Sequence, residues 1–157
     1  MHARASVLQR AVADWVLGRL LPETVGERAT TALADGCDDP TLAILATEPM
    51  TRAEIDDLLP ALLRRHDLHR PSDAEALKTL VDDLAWQILH TDLDPIHAGH
   101  LLDAFSANED ESPTFYSEID PIVFPALHPG PQLDQTRQTI RDEAAAFLAR
   151  GGLSVST

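Results

Sequence analysis

The stretch from Ser72 to His90, SDAEALKTLVDDLAWQILH, constrains the fold more than any other part of the chain. Ser72 and Glu75 have the S-x-x-E spacing of a capping box, in which the serine accepts from the Glu75 N–H and the glutamate reaches back to the Ser72 N–H. Leu77, Leu80, Val81, Leu84 and Ile88 then recur at helical spacing, with Ala74 and Ala85 at the edges. Burying those five side chains is worth roughly 10 kcal/mol gross, at about 2 kcal/mol each. A helix this long and this one-sided has to lie against other helices. At about 100° per residue, Trp86 falls nearly opposite the centre of the stripe. Either a second layer covers that side, or the ring faces a partner.

Start and stop signals place the other helices. An N-terminal helix is predicted from about Arg4 to Leu20, burying Leu8, Ala11, Val12 and Trp15. Pro22 opens a second helix, and Gly36 sits where a left-handed C-cap ends it. Asp39-Pro40 pairs an N-cap with proline at the first helical position, where the missing N–H costs nothing, and the short helix it starts stops at Pro49. Thr51 and Glu54 make a second capping box, and Met50 is placed to staple onto Ile55. Pro60 falls on the outer side of that helix and is expected to bend it.

After the central helix, Asp94-Pro95 repeats the cap-and-proline start for a helix to about Ala107. Residues 108–113 read as a polar loop. A turn or two around Phe115, Tyr116 and Ile119 then precedes a separate short helix from Asp120-Pro121 through Leu127. The break at His128-Pro129-Gly130-Pro131 leads to a final helix, about Gln132 to Arg150, which Gly151 ends.

No segment alternates like a half-buried strand, and no Asn-Gly or Asp-Gly hairpin turn occurs. The expectation is an all-α fold, a single compact orthogonal or irregular bundle of seven or eight helices over residues 1–151, with residues 152–157 as a flexible tail. At 157 residues such a domain buries about two-thirds of its unfolded surface. With only 4% aromatic residues, its core must be mostly aliphatic.

The run Trp15-Val16, Ala29-Thr30-Thr31-Ala32-Leu33, Gly36, Asp39-Pro40-Thr41-Leu42 and Ile55-Asp56-Asp57-Leu58-Leu59 resembles a group of small acidic all-helical bacterial proteins with no assigned activity. The resemblance covers the first two-thirds of the chain. Its motifs are caps and core positions, so it implies a helical fold and carries over no catalytic residue.

Charge narrows the function classes. A net charge of −14 argues against direct binding to nucleic acid or an anionic membrane. Residues 72–121 hold twelve acidic side chains and one basic, Lys78. The single cysteine, Cys37, excludes an internal disulfide and fits a reducing compartment. Arg4, Arg10, Asp14 and Arg19 interrupt any signal-peptide core, and no run approaches the eighteen or so apolar residues of a membrane span. The expected location is the cytoplasm.

Histidines supply the enzymatic lead. His97, His100 and Asp103 stand at i, i+3 and i+6, and with His90 as a further ligand they are candidates for zinc or a similar ion. Asp103 lies far round the helix from His97, however, and neither H-E-x-x-H nor E-x-x-H occurs. His66-Asp67 resembles the doublet of HD-type metal phosphohydrolases, but only His2 stands upstream to complete that set. Asp38 and Asp39 should suppress a Cys37 thiolate. No P-loop, G-x-S-x-G, G-x-G-x-x-G or C-x-x-C is present, and the residues call for no cofactor.

Trp86 is the stronger lead. Tryptophan is enriched at binding hot spots, and here Asp82, Asp83 and Glu75 surround it on the most acidic third of the chain. Such a face suits a basic protein partner met by electrostatic steering. The expected function is that of a non-catalytic intracellular interaction protein, inhibitor-like or immunity-like, with self-association left open. The alternative is a metal-dependent enzyme built on His97 and His100.

Overall fold

A computed structural model of the protein describes residues 3–106 and 113–155. Among them are eight α-helices, one 3-10 turn and no strand, so the all-α expectation holds. The residues gather into two compact units, one of residues 5–79 and one of residues 80–157 with residues 1–4. The division falls between Thr79 and Leu80, inside a continuous helix, and no linker composition marks it.

The N-terminal unit contains α1 (Val7–Val16), the 3-10 turn Pro22–Thr24, α2 (Val25–Ala34), α3 (Pro40–Thr47), α4 (Arg52–Arg65) and the beginning of α5 (Asp73–His90). Three helix starts follow the sequence signals. Asp39 accepts from the Thr41 N–H at 2.7 Å, and Thr51 pairs with Glu54. Ser72 and Glu75 exchange bonds of 3.1 and 3.2 Å.

α1 is shorter than expected at both ends. Its start is set by Ser6 and Gln9, a capping box with glutamine in the fourth place. Its end comes where Gly18 takes φ +70°, a conformation that costs glycine little and an L side chain more. α4 runs through Pro60, which is exposed. Leu8, Val12, Trp15, Ala29, Leu42 and Leu62 share one buried core, where the Trp15 indole N–H finds Asp56 at 2.8 Å.

Replacing Ser72 by alanine strands an N–H at the start of α5, and the expected loss is about 1 kcal/mol. Thermal or urea unfolding measures it, and an unchanged curve would show that the start of α5 does not depend on the box.

The C-terminal unit contains the rest of α5, then α6 (Pro95–Phe105), α7 (Pro113–Leu127) and α8 (Leu133–Ala149). The last three pack on one another, and Leu102, Ile119, Ile122, Ile140 and Phe147 are fully buried. α7 departs most from the sequence reading, which breaks it at Asp120-Pro121. It is one helix with Pro121 and Pro125 inside it. At helical spacing both prolines lie away from the buried positions Ile119, Ile122, Val123 and Ala126. The ladder donors they remove are therefore lost on the outer side, where water is the substitute.

Of the polar loop read at residues 108–113, residues 108–112 lie outside the described residues and Pro113 is the first residue of α7. Beyond α8, Leu153 is buried and donates its N–H to Asp82 at 2.8 Å, and the Ser154 N–H meets Glu118. Residues 156 and 157, the end of the expected tail, are outside the described residues. No helix among the described residues is long and apolar enough to cross a membrane.

Candidate functional site

α5 is buried over a wider arc than its leucine stripe suggests. Ala76, Leu77, Leu80, Val81, Asp83, Ala85 and Ile88 are all buried, spanning roughly 200° of the helix at 100° per residue. Leu84, central in the expected stripe, is only half-buried. Trp86 lies just past the Asp83 edge of this arc and is half-buried as well.

The half-buried Trp86 ring has a cation over it. It is the guanidinium of Arg4, whose carbon sits 4.8 Å from the ring centroid. The same group donates from Nε to Asp83 Oδ1 at 2.8 Å. Asp83 is a buried carboxylate, its side chain 6% exposed, and its Oδ2 accepts from Gln87 Nε2 at 2.7 Å, one turn further along α5. His90, one turn beyond Trp86, lies against the indole with its ring tilted by 38°, at 4.6 Å between centroids. A flat cation is thus held between a carboxylate that accepts from it and an aromatic face that attracts it, the two interactions guanidinium makes better than ammonium.

The other two residues expected in this interface are engaged elsewhere. Asp82 accepts from the Leu153 N–H, so it fastens the segment after α8. Glu75 belongs to the N-terminal unit, where it completes the cap and meets His69 Nε2 at 3.1 Å. The Ser72 N–H first, and then His69, hold the Glu75 carboxyl below its ordinary range. Of the four residues, Trp86 and Asp83 share a site, and the cation they hold is Arg4. Nothing in the local sequence pointed to Arg4, which stands 79 positions from Asp83.

The histidine lead does not assemble. His97 and His100 are exposed on α6, Asp103 is half-buried, and the His90 ring lies against Trp86. Among the described residues no three His, Cys, Asp or Glu side chains converge where they could hold a metal ion. The physical reason is the i, i+6 spacing, which turns Asp103 about 120° away from His97.

A second polar cluster, in the N-terminal unit, was not legible as a cluster. Asp39, the N-cap of α3, is buried and receives a two-pronged bond from Arg65 at the end of α4, with Nε to Oδ2 and Nη2 to Oδ1 both 2.9 Å. His66 Nε2 reaches Oδ2 at 2.9 Å. Arg65 above all, with the Thr41 N–H and His66 adding to it, holds the Asp39 carboxyl far below the usual carboxylate range.

Cys37 Sγ lies 3.9 Å from both ring nitrogens of His66, so the cluster contains a cysteine, a histidine and an aspartate. It does not make a nucleophile. Equal distances mean that neither ring nitrogen is aimed at the sulfur, and Nε2 already faces Asp39. Burial, and then Asp39, Asp35 and Asp38, push the thiol pKa up, as the flanking carboxylates led us to expect. The His66-Asp67 doublet is likewise split. His66 turns to Asp39, and Asp67 takes φ +54° at the helix end.

The N-terminal unit also has an open groove of about 450 Å³ beside the end of α3, with Glu23 and Glu48 among its lining residues. Its Thr47 and Thr51 hydroxyls are engaged at helix ends, and neither histidine nor cysteine lines it. Compared with known proteins, the chain matches no family model, no curated protein and no solved structure.

Proposed function

We propose that the protein is a non-catalytic, intracellular interaction module that binds a basic segment of a protein partner through the α5 face of its C-terminal unit. The observation that carries this reading is the seat formed by Asp83 and Trp86, which holds a guanidinium by both its charge and its flat face. The unit around it has thirteen acidic and four basic residues, which favours an approaching cation. An inhibitor-like or immunity-like protein that neutralises a basic enzyme is one form of this function, in keeping with the resemblance to small acidic bacterial proteins. The groups that would carry chemistry fit the same reading: both Asp39 oxygens are engaged by Arg65, Thr41 and His66, and burial with the nearby carboxylates pushes the Cys37 thiol pKa up.

The test is calorimetric titration of the whole protein with an arginine-rich peptide at low and at moderate salt. Binding is expected at low salt and should weaken as salt rises. Trp86→Ala should cost about 2 kcal/mol of binding if the ring is an anchor. A protein that binds no basic peptide at low salt would end this reading.

A further inference from the structure

We propose that Arg4 is a resident occupant of the Trp86–Asp83 seat, and that a partner binds by replacing it with an arginine of its own. The inference rests on the function proposed above and adds its chemical selectivity and its regulation. Three observations lead to it. The seat is complete before any partner arrives, because Asp83 is already buried and Gln87 and His90 already flank it. The group filling it is an arginine from the chain's own N-terminal segment, which donates from Nε to Asp83 and lies over the Trp86 ring. That arginine stays accessible, with 32% of its side chain exposed, so exchange needs no opening of the core.

A tethered group competes at an effective concentration in the millimolar range, so a free peptide must outbid it. The partner's apparent affinity is then lowered by the fraction of time the seat is filled. Anything that draws the N-terminal segment away raises affinity without altering the seat. The recognition is for guanidinium rather than for positive charge alone, because the ring contact uses a planar cation and the carboxylate accepts an N–H in that plane.

The experiment titrates the wild type, Arg4→Gln, and the double variant Arg4→Gln with Asp83→Asn, each as the whole protein. The probes are an arginine peptide and the same peptide with lysine at every arginine. Arg4→Gln should bind the arginine peptide about ten-fold more tightly than wild type, the factor a millimolar internal competitor imposes on a peptide of sub-millimolar affinity. The lysine peptide should gain much less, and the double variant should lose the gain.

An Arg4→Gln protein that binds no tighter than wild type shows that Arg4 is a structural tie only. Equal gains for the two peptides show a vacant charge rather than a guanidinium seat. In both cases binding by the wild type leaves the proposed function standing, whereas failure of every variant to bind removes both. If Arg4→Gln is too unstable to titrate, its melting temperature is the second readout. Millimolar N-acetyl-arginine amide should raise it, the lysine counterpart should not, and equal or absent rescue overturns the proposal.

Discussion

Asp39→Ala is expected to destabilise the N-terminal unit by about 3 kcal/mol, combining the loss of a helix cap with the loss of the partner that Arg65 and His66 share. The value is set near the lower end of what breaking a buried ion pair costs, because 44% of the Arg65 side chain is exposed and regains water. Asp39→Asn separates the contributions, since the amide oxygen can still cap Thr41 while the charge is gone. The pH dependence follows from the direction of the Asp39 shift. Its folded pKa lies well below the unfolded value of about 3.9, so the contribution is complete above that value and is lost as pH falls through the folded pKa. Wild type and Asp39→Asn should therefore differ by a steady amount at neutral and mildly acid pH. The gap should begin to shrink only below about pH 4 and go on shrinking as pH falls toward the folded pKa. Urea midpoints from pH 7 down to the acid limit of folding test this, and a gap that stays constant with pH would show that the ion pair does not supply it.

Gly99→Ala is expected to cost about 2 kcal/mol in the C-terminal unit, although alanine is by itself the better helix former by about 1 kcal/mol. Gly99 is a buried position on α6, and a Cβ there would overlap the Cβ of Ala126 on α7. The Ile122 carbonyl lies just beyond, at 3.5 Å from the same point. Neither neighbour is the far end of a flexible side chain, so α6 and α7 would have to separate. Ala126→Gly made together with Gly99→Ala should restore much of the loss, a coupling that two independent sites would not show. If Gly99→Ala alone is neutral or stabilising, the close approach of the two helices is wrong.

The Arg4 seat changes the meaning of the acidic bias. Twelve acidic residues against one basic over residues 72–121 looked like a surface awaiting positive charge. Several of those acids work inside the fold instead. Asp83 holds Arg4, Asp82 receives Leu153, Glu118 receives Ser154, and Asp94 caps α6 while meeting Arg137 at 3.0 Å. A window of charge along the sequence counts acids close in sequence but misses the bases that the fold brings from elsewhere. The −14 of the whole chain still sets the sign of the long-range field, which is why a basic partner remains the reading.

The sequence by itself determined the class of fold and the start of most helices, because those features are local. A cap links residues three apart through geometry the helix itself imposes, so Ser72 with Glu75, Thr51 with Glu54 and Asp39 before Pro40 could be read directly. The Ser6–Gln9 box of α1 is equally local, and the reading of a start near Arg4 overlooked it. Local reading went wrong at α7, where a proline usually opening a helix sits within one, tolerated because it faces outward. Tertiary structure alone decided which groups meet. Hydrophobic period tells which side of a helix is apolar, not which neighbour covers it. The arginine over Trp86, the Arg65 and His66 that close on Asp39, and the Ala126 that requires Gly99 all come from distant parts of the sequence. Their meeting depends on how whole helices pack, and no spacing along the chain encodes that.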